Sequence, residues 1–417
     1  MDTIFAETTP AGRGGVSILR ISGPDARKAA EVLAGSLPEP RRAELRVLRD
    51  DGDVLDQALV IRFDAGASFT GEDVAELHLH GAPVVVRRVE AALLRQGLRR
   101  AEAGEFTRRA FLNGRIDLAA AEGLADLLEA ETESQRRQAM LAAGGALGAK
   151  TEGWRQLLIR AGALVEVSVD FADEDVPDVV PSEVFDLLDK LRDSIAAEVS
   201  GFPAAERLRQ GFEVAIVGPP NAGKSSLLNR IARREVALVS DLAGTTRDII
   251  ELRLDLRGLA VTLLDTAGLR ETDDRVEAMG VNRARERAAA ADLRIHLSEA
   301  GEPDQELYHD GDLVVRSKAD LGGVGISAQT GQGIAELLDD LHRILSDRVA
   351  GAGLASHARQ AEALIEAMAA LHDLRDLPPE MLAEAIRQVS LSLDRLVGRI
   401  GAEDYLDIIF SSFCIGK

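Results

Sequence analysis

The run Gly218-Pro-Pro-Asn-Ala-Gly-Lys-Ser-Ser226 follows a β-like stretch, Phe212–Val217, and leads into the helical stretch Ser226–Ala232. Glycines in such a loop let backbone N–H groups converge on a phosphate at a helix start. Lys224 has the reach for β and γ phosphates, and the Ser225 hydroxyl is a ligand for Mg²⁺. Asp265-Thr266-Ala267-Gly268 closes the next β run. Asp265 is then placed for the Mg²⁺ shell and the Gly268 amide for the γ phosphate. Between these motifs, Gly244-Thr245-Thr246-Arg247-Asp248 supplies hydroxyls for a switch loop. Alone that string would be an ordinary loop; its position after a phosphate loop gives it meaning.

Base choice falls to Ser317-Lys318-Ala319-Asp320. A carboxylate at Asp320 accepts both N1–H and N2–H of guanine, which adenine lacks, while the stem of Lys318 covers the base. The usual box begins with Asn, and serine is too short to repeat all its bracing bonds, so guanine preference is expected with weaker binding. Ser327-Ala328 matches the last guanine-contact loop, where a backbone amide meets O6. These motifs imply a GTPase of the translation-factor-like class. Its hydrolysis must be unusual, because Leu269 stands where a Ras-like enzyme carries a water-orienting glutamine. Downstream acids, Glu277 among them, offer another acceptor. The Asn221 amide oxygen, near the β and γ phosphates, could ligate a monovalent cation that supplies missing positive charge.

These motifs need a parallel α/β sheet, and residues 211–349 have its texture: β runs at Phe212–Gly218, Leu259–Gly268 and Asp312–Asp320 alternate with helical ones. Residues 1–117 mix short β runs with Gly-rich turns and one helical pattern around Pro83–Gly97, an α+β domain. Residues 118–210 and 350–417 are Ala-, Leu-, Glu- and Arg-rich at helical spacing. They are expected to join as one discontinuous helical domain that receives the α/β domain as an insertion. A length of 417 residues fits this division. The single cysteine, Cys414, excludes an intramolecular disulfide. With no basic leader and no apolar run near the roughly 18 residues of a membrane span, a cytoplasmic protein without membrane contact is expected. The net charge of −21 argues against a general grip on polyanions. Residues 1–117 are nearly neutral, with 17 Lys and Arg against 18 Asp and Glu, so a polyanion should approach there or at a local patch.

The whole chain resembles the MnmE (TrmE) family of tRNA modification GTPases. The likeness rests on the runs at 2–23, 69–81, 103–127, 169–177, 218–229, 240–248, 265–280 and Phe413–Lys417, and the stretch Leu293–Gly325 looks shortened. The resemblance implies three domains: an N-terminal folate-binding and dimerising domain, the discontinuous helical domain and the inserted G domain. It implies a homodimer that works with an FAD-dependent MnmG partner, in a heterotetramer or larger complex, FAD residing on the partner alone. Together they would add a (carboxymethyl)aminomethyl group to carbon 5 of the wobble uridine, position 34, of certain tRNAs, taking one carbon from 5-formyl- or methylene-tetrahydrofolate.

The resemblance also implies site residues. GTP contacts fall on Asn221, Ala222, Gly223, Lys224, Ser225 and Ser226, on Ser240, Asp241, Leu242, Ala243, Gly244, Thr245 and Thr246, on Asp265, Thr266, Ala267 and Gly268, and on Ser317, Lys318, Asp320, Ser327 and Ala328. Mg²⁺ falls on Ser225 and Thr246, and K⁺ on Asn221, Ser240, Leu242 and Thr245. Glu277 matches the family's catalytic glutamate, which acts on water when two G domains meet around K⁺. Folate contacts fall on Arg20, Glu76, Arg115 and Lys417; Arg115 and Lys417 suit the glutamate carboxylates and Glu76 the pterin N–H groups. A competing class is a regulatory RNA- or ribosome-binding assembly GTPase without covalent chemistry, but the acidic helical flanks lack the basic module it would need.

The ending Cys414-Ile415-Gly416-Lys417 has the length of a prenylation box, yet Gly416 and Lys417 fit that pattern poorly. A buried structural cysteine is the ordinary alternative. The family favours a third account, in which the helical tail returns Cys414 and Lys417 to the folate site.

Overall fold

The computed structural model describes residues 2–170, 180–233, 251–265 and 284–400, with 406, 409, 410, 413 and 416. Thirteen of the expected site residues, Ser240–Thr246, Thr266–Gly268, Glu277, Cys414 and Lys417, lie outside them. The chain forms two compact units: Met1–Ala125 with Ala143–Ile159 and Ile386–Lys417, and Asp126–Ala142 with Arg160–Ala385.

The first unit is built on six strands: β1 (Ile4–Glu7), β2 (Val16–Ser22), β3 (Glu44–Asp50), β4 (Asp53–Phe63), β5 (Val74–His80) and β6 (Arg99–Arg100). Their order is β3-β4-β5-β2-β1-β6, antiparallel except for β1 with β6. Side chains alternate across the pleat. Leu19, Ile21, Leu77 and Leu79 are buried with the apolar faces of α1 (Ala26–Ala34) and α2 (Pro83–Arg95). Each such aliphatic side chain contributes about 1.5–3 kcal/mol on full burial. The alternate positions on β2 and β5 carry Arg20, Glu76 and His78, only partly buried.

Helix α3 (Glu105–Leu112) is tied to the sheet by Arg109, whose buried guanidinium donates to Glu72, Glu105, the Asp2 carboxylate and the Asp2 carbonyl. Burial opposes the charge on Arg109, but its hydrogen bonds to Glu105 and Glu72 outweigh that and raise its pKa. Helix α4 (Leu118–Glu129) follows, and Leu406, Phe410 and Phe413 from the end of the chain pack on its Leu118 and Ala121. Gly416, at φ 100, lies against the Glu7 carbonyl so closely that a Cβ would collide with it. Gly416 thus lies at the end of β1 in the same unit.

The second unit holds a five-stranded sheet of β7 (Phe212–Val217), β8 (Glu251–Leu256), β9 (Leu259–Asp265), β10 (Leu293–Ser298) and β11 (Leu313–Arg316). The order β11-β10-β7-β9-β8 is parallel except for the β8–β9 hairpin. The apolar run of β7 reflects burial on both faces, as central parallel strands require. Its core is shared with α8 (Lys224–Ala232) and α10 (Ile334–Val349). Between these, residues 284–290 form the described part of α9. In the shortened stretch, where a longer helix and strand would be expected, β10 is buried along its whole length and residues 299–312 reach β11 by turns.

Helices α5 (Glu133–Ala143), α6 (Ala146–Asp170), α7 (Ser182–Gln210), α11 (Ala358–Ala370) and α12 (Pro379–Leu396) complete the chain. Residues on the two sides of the α/β sheet are stitched together. Gly353 N–H donates to the Gly201 carbonyl at 3.1 Å and Arg209 Nε to the Ser356 carbonyl at 3.0 Å. His357 Nε2 lies 2.9 Å from Asp126 Oδ2, and Gln138 Nε2 donates to the Gly353 carbonyl at 2.8 Å.

Candidate functional site

β7 ends in the loop Gly218–Gly223, and α8 begins directly at Lys224. The loop needs left-handed backbone at Asn221 (φ 62) and at Gly223 (φ 100), the residue that caps α8. Gly218 meets a steric demand as well, since a Cβ there would strike the Leu297 carbonyl of β10. Ala222 is buried beneath the loop and Ser226 is exposed on α8.

Lys224 is only 7% exposed, and its Nζ donates to the Gly218 carbonyl at 2.7 Å and the Pro219 carbonyl at 3.0 Å. A buried ammonium needs such acceptors, and nucleotide phosphates are the stronger ones that the loop is shaped to hold. Beside it, Ser225 Oγ donates to Asp265 Oδ2 at 2.5 Å, the carboxylate standing buried at the end of β9. A hydroxyl and a carboxylate at this spacing, next to a phosphate loop, are the hard oxygen donors Mg²⁺ prefers, and they fit it. No cluster of three or more His, Cys, Asp or Glu able to hold a metal occurs among the described residues.

The residues expected to read the base follow β11. Ser317 N–H donates to the Ser298 carbonyl at 2.9 Å, and Lys318 adopts a left-handed turn (φ 58) with its ammonium on Glu299. Asp320 is exposed, and its Oδ1 accepts from the fully buried Ser327 Oγ at 2.5 Å, which fixes one loop against the other. Ala328 is half-buried. The Ser317 hydroxyl is buried and has no hydrogen-bond partner, as expected where a short side chain stands in for an amide.

In the first unit, Arg20 on β2 and Glu76 on β5 are direct register partners, and Arg20 Nε donates to Glu76 Oε1 at 2.9 Å. The guanidinium lies 5.9 Å from the ring centre of Phe69 and 5.5 Å from that of Phe106, while His78 Nε2 lies 3.4 Å from Glu76 Oε2. Sequence reasoning missed these neighbours, although Phe69 and His78 stand within the run 69–81 and Phe106 within the run 103–127. Arg115 is exposed beyond α3, its stem against Gly71. It helps line a cavity of about 460 Å³ with Phe111, Ile116, Thr151 and Arg399. Asn113 Nδ2 donates to the Thr70 carbonyl at 2.7 Å, so the loop bearing Phe69 connects the surroundings of Arg20 and Arg115.

The sequence matches two family descriptions, "GTP-binding protein TrmE N-terminus" over residues 3–115 and "MnmE helical domain" over residues 118–414. It is 64% identical over 420 residues to the tRNA modification GTPase MnmE of Paracoccus denitrificans, with 100% of both chains covered. It is 52% identical over 431 residues to the MnmE of Roseobacter denitrificans, again with 100% of both covered. Among solved structures, Aquifex aeolicus Era bound to GDP·AlF4⁻ is similar at 24% identity, covering 38% of this chain and 66% of that one, with a TM-score of 0.26, too slight a likeness to argue from. With matched segments running from residue 3 to residue 414 and full-length identity above one half, the chain belongs to the MnmE (TrmE) family of tRNA modification GTPases.

Proposed function

We propose that this chain hydrolyses Mg²⁺-bound GTP and couples that turnover to modification of tRNA wobble uridine. The observation that carries the reading is the set Lys224, Ser225 and Asp265 beneath a phosphate-shaped loop, in a chain that shares 64% identity end to end with a named tRNA modification GTPase. The domains in this reading are 1–117, the helical pair 118–210 with 350–417, and the inserted G domain 211–349. Bound Mg²⁺ would neutralise charge building on the β and γ phosphates. Lys224 leaves its two loop carbonyls for those phosphates, Ser225 and Thr246 hold the metal, and Asp265 orients its shell. Asp320 selects guanine. Glu277 takes the role that Leu269 leaves open, with K⁺ at Asn221, Ser240, Leu242 and Thr245 when two G domains meet.

In the first unit, Glu76 receives pterin N–H groups of 5-formyl- or methylene-tetrahydrofolate, with Arg20 fixing its carboxylate. Arg115 and Lys417 take the glutamate tail. The closeness of Gly416 to Glu7 supports a site near β1 for the chain end, and Cys414 would stand near the one-carbon unit. The working form is a cytoplasmic homodimer that joins an FAD-carrying MnmG partner and adds the (carboxymethyl)aminomethyl group to position 34. Mass spectrometry of tRNA nucleosides after depletion of the protein should reveal loss of modified wobble uridines. Unchanged uridines would favour a regulatory assembly GTPase instead. The K⁺ assignment requires GTP turnover far faster in K⁺ than in Na⁺ and abolished by Glu277→Ala; equal rates in the two salts would refute it.

A further inference from the structure

The loop between β4 and β5, residues 64–73, is closed on itself. Gly66 N–H donates to the Gly71 carbonyl at 2.9 Å, both glycines being left-handed (φ 78 and 80), and Ala65 N–H donates to Asp73 Oδ1 at 2.8 Å. Within it Ser68 and Thr70 are buried. Ser68 Oγ donates to the Glu72 carbonyl at 2.6 Å, and Thr70 Oγ1 lies 2.8 Å from Ser22 Oγ while the Thr70 carbonyl accepts from Asn113. Phe69, between these two anchors, is 39% exposed. An aromatic ring left partly in water by a loop held this tightly gains from any flat partner that covers it.

Ser22 stands two residues beyond Arg20 on β2, so the loop is anchored on the sheet face that carries Arg20. Phe69 and Phe106 both neighbour that guanidinium, but Phe106 is fully buried among Ile4, Ala6 and Ala101, and of the two only Phe69 is open to a ligand. On the same face, Glu76 Oε1 accepts from Arg20 Nε and Oε2 faces His78 Nε2. Both oxygens are thus oriented by neighbours while each keeps acceptor capacity. A carboxylate fixed in this way suits two adjacent N–H donors, and a ring at its side suits the flat face of the heterocycle that bears them. The stem of Arg115 lies against Gly71 of the same loop, so one short segment borders both the exposed ring and a cation fit for a carboxylate tail.

We propose that Phe69 is a binding residue of the folate site: its ring stacks on the flat pyrimidine half of the pterin whose N–H groups Glu76 receives. The inference rests on the reading that the first unit binds a tetrahydrofolate. It adds a contact that depends on the shape of the pterin and not on its charge, and it gives the loop 64–73 the task of presenting that contact rigidly.

The test titrates the full-length protein with 5-formyl-tetrahydrofolate by calorimetry and measures sedimentation mass on the same preparations. Phe69→Leu keeps apolar bulk but loses the ring, whereas Phe69→Tyr keeps the ring. Stacking a flat heterocycle on an aromatic side chain is worth about five- to 100-fold in affinity. Phe69→Leu should therefore bind the folate at least about fivefold more weakly and Phe69→Tyr within about twofold of the parent, with the mass unchanged in both. If Phe69→Leu does not fold, Phe69→Ala decides by the same criterion. Failure of both to fold would overturn the proposal, because the ring would then serve the loop itself. So would a loss below about fivefold in Phe69→Leu, or an equal loss in Phe69→Tyr. A changed mass would also overturn it, by assigning Phe69 to contact between two copies of the chain. A parent protein without measurable affinity for the folate would instead sink the folate reading itself.

Discussion

Asp320→Asn should convert guanine recognition into xanthine recognition. Asp320 is exposed and its Oδ1 holds the Ser327 hydroxyl at 2.5 Å. An amide retains an acceptor for Ser327, whose oxygen also receives the Thr330 N–H at 3.1 Å, so the loop should stay in place. What changes is the pattern offered to the base. A carboxylate accepts from N1–H and N2–H, whereas an amide keeps one acceptor and presents a donor where guanine also presents one. A hydrogen bond to a charged group contributes about 1.5–3 kcal/mol. Losing one such bond and opposing two donors should together cost about 3–4 kcal/mol, or roughly 100- to 1,000-fold in GTP affinity. Xanthine, with a carbonyl at carbon 2, pairs with the new donor, so XTP should recover most of the loss. Competition of GTP, XTP and ATP against a fluorescent guanine nucleotide measures all three. A GTP affinity reduced less than about fivefold, with no gain for XTP, would refute the assignment of Asp320 as the base reader.

Ser317→Ala removes a buried hydroxyl that has no partner; stability should hold or rise by up to about 1 kcal/mol, and a clear fall in Tm would mean the hydroxyl is used. Gly416→Ala places a Cβ against the Glu7 carbonyl at φ 100; it should impair tRNA modification in cells while leaving GTP turnover unchanged, and loss of both would place its effect on the whole fold. For Asp312, burial raises the pKa but hydrogen bonds from Arg294, the His309 and Arg294 backbone and His296 outweigh it, so its native carboxyl titrates below the ordinary range. Its stabilising contribution is complete above the unfolded value near pH 4 and is lost as pH falls through the lowered native value. The difference in unfolding free energy between the parent and Asp312→Asn should therefore stay constant from about pH 7 to 5 and shrink below about pH 4; a difference unchanged to pH 3 would exclude this origin.

The nucleotide site was legible because its chemistry is local. A phosphate loop needs glycine, Lys and Ser in one short run between a strand and a helix, and that run carries its own context. The partnership of Ser225 with Asp265 was readable from motif order, although the residues are 40 positions apart. β10 was not legible as a strand. Arg294 and His296 break its apolar run, and what makes them tolerable there is Asp312, a residue met only after a turn-rich stretch. Sequence periodicity registers polarity but not its neutralisation by a distant partner. The same holds for Arg109, which reads as one more surface charge on a short helix until Glu72 and Asp2 enclose it. Arg20 and Glu76 could be named from resemblance, but their direct pairing depends on the β2–β5 register and on Phe69 and Phe106, which no local pattern encodes.

The central claim is that the Lys224–Ser225–Asp265 site drives tRNA modification. Its most direct test returns either the parent chain or a Lys224→Met variant to cells depleted of the protein, with wobble-uridine nucleosides then measured by mass spectrometry. The account predicts that the parent restores the modified uridine and that Lys224→Met, expressed at the same level, leaves it unmodified. Full restoration by Lys224→Met would contradict it.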